Sequence, residues 1–147
     1  QALAVSDNCI YAAEFYDGKM FAYLMNEQTS RIEFVEHTID TYTFECYNKV
    51  LGSFDFTEFP DLRDMAIDYS EAAMYAIAGV RNGDGNTSLY TVDTTNGNMY
   101  LLGEMEHTFV ALTCSTDGIL YGVDLEGKFY EIENEYLNVA YDVLKAL

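Results

Sequence analysis

Asn82-Gly83-Asp84-Gly85-Asn86 places oxygen-bearing side chains at alternate positions. A calcium loop opens in this way, with ligands at positions 1, 3 and 5. Counting from Asn82, Asp93 falls at position 12, so Asn82, Asp84, Asn86 and Asp93 form a candidate calcium set. Position 6 is Thr87, where the EF-hand turn takes glycine, and no flanking helices are expected. A polar loop joining two strands accounts for the same residues. On that default reading the chain carries no cofactor.

The second candidate chemistry belongs to tyrosine. Tyr16, Tyr69, Tyr100 and Tyr136 fall at expected strand ends or on loops, with carboxylates close by in sequence. Aromatic faces beside carboxylates suit sugars, so these four are the candidate ligand-binding residues. Most of the 13 tyrosines must fill sheets instead, and the absence of Trp weighs against a lectin. Asp68, Asp93 and Asp124 end strands, and Asp17 and Asp117 sit in turns. Aspartate there normally caps its own turn through a side-chain hydrogen bond, although a ring of such carboxylates at one mouth would also hold a cation or a sugar.

No catalytic residue is assigned. His37 and His107, the two histidines, are both expected between strands as surface loop residues. There is no G-x-S-x-G elbow, and no Ser-His-Asp set follows from spacing. Cys9, Cys46 and Cys114 form no C-x-x-C pair and have no histidine at metal spacing. They lie in apolar, strand-like runs and are expected to be buried structural thiols. Their odd number leaves at least one thiol free.

Charge removes whole classes of partner. The chain carries a net charge of −18. Phosphate binding needs Lys and Arg to displace counterions, so nucleic acid is excluded, and an anionic membrane surface is excluded on the same ground. No apolar run approaches the ~20 residues of a membrane-spanning helix, so no membrane insertion is expected. The bland reading of the acidity is a solvated surface; the sharper one is a cation or a basic partner. The abrupt start at Gln1 reads as a processed or cut N terminus.

These residues must be positioned by strands. At 147 residues, half of them apolar, the chain is one domain by size. Short apolar runs rich in tyrosine and phenylalanine alternate with Asp-Gly and Asn-Gly turns, the pattern of antiparallel hairpins. Strands are expected at 10–15, 19–25, within 31–46 with a break at 37–40, 50–54, 65–68, 74–78, 88–93, 99–105, 109–114, 119–124, 128–133 and within 136–144. The run at 2–5 adds a short strand. The pattern repeats. Met74-Tyr75-Ala76-Ile77 matches Leu120-Tyr121-Gly122-Val123 at an offset of 46 residues, and Asp17 to Tyr23 matches Asp117 to Val123 at an offset of 100. A four-stranded unit with a period of roughly 40–45 residues is that of a propeller blade.

Two stretches carry a resemblance. The stretch from Ala111 to Asp124, ending Asp117-Gly118-Ile119-Leu120-Tyr121-Gly122-Val123-Asp124, and that from Leu89 to Gly103, opening Leu89-Tyr90-Thr91-Val92-Asp93, resemble the degenerate β-propeller repeats of secreted bacterial surface proteins. The resemblance implies an all-β, propeller-like chain of about three four-stranded antiparallel blades, at about 9–54, 64–106 and 109–147, within a single domain spanning 1–147. It also implies a secreted or cell-surface location and a role in adhesion or in binding a glycan or protein. Single-chain propellers usually have four or more blades. Three would be a partial propeller, or half of a six-bladed ring completed by a homodimer. The leading reading is a non-catalytic extracellular binding module. The alternatives are a structural repeat segment and, further off, a propeller-type hydrolase or lyase with an acidic central mouth.

Overall fold

The alternating runs and glycine turns produce a succession of hairpins along the described residues. The computed structural model describes residues 9–80, 85–132 and 144–146. Its strands are β1 (Cys9–Tyr16), β2 (Lys19–Asn26), β3 (Arg31–Ile39), β4 (Cys46–Asp55), β5 (Asp61–Asp68), β6 (Ala73–Gly79), β7 (Ser88–Val92), β8 (Met99–Glu104), β9 (Phe109–Cys114), β10 (Leu120–Asp124), β11 (Phe129–Ile132) and β12 (Leu144–Ala146). They form three four-stranded sheets, each an antiparallel meander of consecutive strands: β1–β4, β5–β8 and β9–β12. The chain is all-β as expected. Among the described residues no helix is long and apolar enough to cross a membrane.

The turns explain the registers. Asp17 and Gly18 join Tyr16 and Lys19, which face each other across the first hairpin, and both have positive φ (51° and 74°). That is the geometry a two-residue hairpin loop needs. The longer loops are closed by a side-chain oxygen accepting backbone N–H groups just beyond it. Asn26 takes those of Gln28 and Thr29, Asp40 those of Tyr42 and Thr43, Asp68 those of Ser70 and Glu71, and Asp124 those of Glu126 and Lys128. Asp68 and Asp124 therefore cap their own turns.

Three expectations are corrected. The stretch 31–46 is not one interrupted strand. β3 runs unbroken to Ile39, the 40–45 loop turns the chain, and Cys46 opens β4, so Tyr42 and Phe44 stand exposed in a loop instead of alternating in a strand. Phe44 holds the left-handed conformation (φ 58°) usually left to glycine, which hid this turn in the sequence. His37 is no loop residue: it is buried in β3, its Nδ1 2.6 Å from Asn48 Oδ1. Cys46 is exposed and Cys114 only half-buried, because Cys46 lies on an edge strand whose first half is open to solvent. β12 pairs with β11 and opens at Leu144, and the rest of the strand expected within 136–144 lies outside the described residues. The run at 2–5, the side chain of Cys9 and residues 133–143 lie outside the described residues.

By contacts the chain divides into two compact units. The first comprises Gln1–Phe59 with Thr94–Asn98, and the second Pro60–Asp93 with Met99–Leu147. The core of the first unit is aromatic. Alternation puts Tyr23 of β2 opposite Phe34 of β3, and the Tyr23 ring lies 4.7 Å from Phe34 and 5.3 Å from Phe59. The Thr94–Asn98 turn completes it: the Tyr23 hydroxyl donates to the Gly97 carbonyl.

The second unit packs sheet on sheet. Tyr75, Ile77 and Leu89 of one sheet bury against Phe109, Leu112, Leu120, Tyr130 and Ile132 of the other. Asp64 ties their first strands together, Oδ2 accepting the Leu112 N–H of β9 at 2.8 Å.

Candidate functional site

Among the described residues each unit carries a groove of about 300 Å³ with polar lining. In the first unit, strand register builds the floor. Tyr16 pairs with Lys19, and Phe21 with Glu36, so all four project from one face of the sheet. Lys19 Nζ lies 3.0 Å from Glu36 Oε1, and Phe21 stacks on Phe34 at 5.7 Å. Thr94 and Thr95 line the other side with hydroxyl-bearing side chains. An aromatic edge, an ammonium, a carboxylate and two hydroxyl residues around one small groove supply donors and acceptors for a hydroxyl-rich ligand, together with apolar area for its C–H faces.

In the second unit, loops build the groove, which is lined by Asn86, Glu106, His107, Asp124, Lys128 and Tyr130 among others. Asp124 ends β10. Its Oδ1 accepts from the N–H groups of Glu126 (3.0 Å) and Lys128 (2.8 Å), and its Oδ2 from the Tyr130 hydroxyl (3.2 Å). Burial pushes the Asp124 carboxyl up. The Lys128 N–H, the Tyr130 hydroxyl, the Glu126 N–H and nearby His107 outweigh that and hold it below its ordinary value. Burial, the Asp124 charge and this same hydrogen bond raise the Tyr130 phenol. Asp124 is thus a filled acceptor anchoring a loop, and Tyr130 a phenol kept protonated. His107 stacks on Tyr130 at 4.3 Å and 29°, and both rings meet Phe109 edge-on. Buried Thr87 holds His107 in place. Its N–H and Oγ1 both donate to the His107 carbonyl, while Oγ1 accepts the Phe109 N–H at 3.1 Å.

The expected site residues disperse. Tyr16 lines the first groove. Tyr69 is exposed in the β5–β6 turn and Tyr100 on edge strand β8, and neither lines either groove. Tyr136 lies outside the described residues, as do Asn82 and Asp84. Asn86 lines the second groove, whereas Asp93 follows β7 at its other end, roughly 15–20 Å away at the rise of an extended strand. Calcium ligands sit at about 2.3–2.6 Å, so Asn86 and Asp93 do not share an ion. Among the described residues no three His, Cys, Asp or Glu side chains are placed to hold a metal.

Sequence reasoning missed Lys19, Glu36, Thr94 and Thr95, which meet only through cross-strand register and a turn distant in sequence. It missed Thr87 as well, which looked like a defect in a calcium motif and is the staple behind His107. No protein-family model matches the chain, and no curated protein matches it either.

Proposed function

We propose that the chain is a non-catalytic extracellular binding module whose ligand is a glycan, held in the first unit's groove against Tyr16. One observation carries this reading: Tyr16, Lys19, Glu36, Thr94 and Thr95 converge on a groove sized for about one or two sugar rings. In the second groove, the three hydrogen bonds already made to Asp124 favour a structural role for that carboxylate over general-base chemistry. The repeats that resemble secreted bacterial surface proteins support a location outside the cell.

In the same reading the three meanders are propeller blades. Their consecutive strand order supports this reading, as does the hydrogen bond from β9 to Asp64 of β5. Completion of a ring by a second copy would give a mass near twice 16.6 kDa.

The test is a glycan array followed by calorimetry on the best ligand. Tyr16→Ala and Lys19→Ala are each expected to weaken binding roughly tenfold, in line with the loss of one stacking or charged contact. Binding untouched by both substitutions would move the site elsewhere. An array blank at every glycan would leave the chain as a structural repeat segment.

A further inference from the structure

Ile39, Tyr42, Phe44, Tyr47 and Val50 are between 50% and 93% exposed, and all lie within twelve residues of the β3–β4 hairpin. Soluble surfaces rarely concentrate large apolar side chains in this way without a partner. The hairpin also offers a free edge. Among the described residues β4 pairs with β3 alone, so the outward N–H and C=O groups of its first half face no strand. Proline, charged side chains, β-bulges or a short strand usually blunt such an edge. Here β4 is ten residues long and contains no proline, its register shift falls at Leu51 beyond the first half, and Cys46–Val50 has one charged residue, Lys49.

The charges on this edge are self-complementary. Tyr47 donates its hydroxyl to Glu45 Oε2, so residues 45 and 47 share a face, and the two-residue period puts Lys49 on it too. We propose that β4 pairs with β4 of a second copy of this chain, antiparallel about a two-fold axis at Tyr47. Glu45 of each copy then lies opposite Lys49 of the other, and the exposed aromatic side chains of the two hairpins meet. Centring on Glu45 or on Lys49 would set like charges face to face, so the charges select this register. The contact is isologous and closes on itself as a dimer. It is an edge contact, independent of the glycan reading and of any ring closure between blade faces.

Light scattering across a concentration series tests it, with circular dichroism confirming that each variant is folded. The wild type is expected to reach a mass near twice 16.6 kDa. Glu45→Lys alone, or Lys49→Glu alone, creates two like-charge pairs and should weaken the dimer roughly tenfold or more. The double variant restores the pairs and should restore the dimer. A wild type that stays monomeric throughout, or a dimer indifferent to both single swaps, would overturn the proposal. Tyr47→Cys, in a background of Cys9→Ser, Cys46→Ser and Cys114→Ser, gives a second readout. Directly opposed strand residues have Cα atoms about 4.5–5.5 Å apart, within disulfide range. Mild oxidation should yield a covalent dimer, whereas Thr57→Cys, in the turn that follows β4, should not in the same background.

Discussion

The two units solve the same problem, covering one face of a four-stranded sheet, in opposite ways. The second lays one sheet on another, and its interior is shared among ten buried side chains from six strands and the linker before Phe109. The first covers its aromatic face with a five-residue turn, Thr94–Asn98, that comes from far along the chain. Burial spread over many side chains tolerates a local error. A core closed by one turn depends on the few atoms that let the turn approach. The grooves inherit the contrast: the first is a product of register and that turn, the second of loops pinned by Asp124 and Thr87.

Glycine substitutions give the sharpest test of this difference. Gly97 has φ 78°, and a Cβ there would overlap the Cβ and ring of Phe34. Gly97→Ala therefore combines backbone strain with overpacking and is expected to cost about 3 kcal/mol or more. Because Thr94 and Thr95 belong to the same turn, the glycan binding proposed for the first groove should fall too. Gly122 is the counterpart in the second unit. A Cβ there would meet the Phe109 ring at 2.6 Å, without a positive φ to add strain. Gly122→Ala should cost about 1–2 kcal/mol, as the ring shifts within a distributed core. Denaturant midpoints for the two variants decide the matter, and equal losses would break the comparison.

Thr87→Val is next in size. The side chain keeps its shape and loses Oγ1, which leaves the Phe109 N–H without its acceptor in a buried position. The expected loss is about 2 kcal/mol, with the His107 carbonyl held by the backbone N–H of residue 87 alone. Proton NMR of the His107 ring should show a changed environment, while the glycan binding proposed for the first unit persists. Loss of both would mean that the units do not respond separately.

What was legible in the sequence follows the same divide. Turns closed by glycine were readable: Gly18, Gly97, Gly118 and Gly127 all hold the positive φ that glycine signals. Ser30, Phe44 and Ala72 hold that conformation too, at φ 53° to 58°, and nothing in their identity announces it. The turn at Phe44 was therefore read as strand, and with it the length of the β3–β4 hairpin. Tyr16 was legible because it precedes Asp17-Gly18. Its neighbours Lys19 and Glu36 were not, since their meeting depends on the register that the 27–30 loop imposes. The calcium pattern treated spacing along the chain as proximity, whereas β7 extends between Asn86 and Asp93 and holds them apart.

The smallest effect concerns high pH and should be confined to the second unit. Burial, with the Asp68 charge second, raises the Tyr75 phenol to about 12, and the same two causes raise the Cys114 thiol to about 11. Both groups favour their neutral forms when folded. Their contribution is complete below the unfolded values, near 10 and 9, and is lost as pH climbs through 11 to 12. The second unit should loosen over that window, seen as late phenolate ionisation at 295 nm, to which the raised Tyr90 and Tyr130 phenols also contribute, accompanied by loss of the Tyr75 environment. At pH 8 a thiol of pKa about 11 is ~0.1% thiolate, against ~25% for a free cysteine near 8.5. Alkylation of Cys114 should accordingly run on the order of 100-fold slower than that of a model thiol, while Cys46, exposed at the start of β4, labels first. Equal labelling of the two would mean that the second unit opens as readily as the edge of the first. Its distributed core would then give no more protection than a core closed by a single turn.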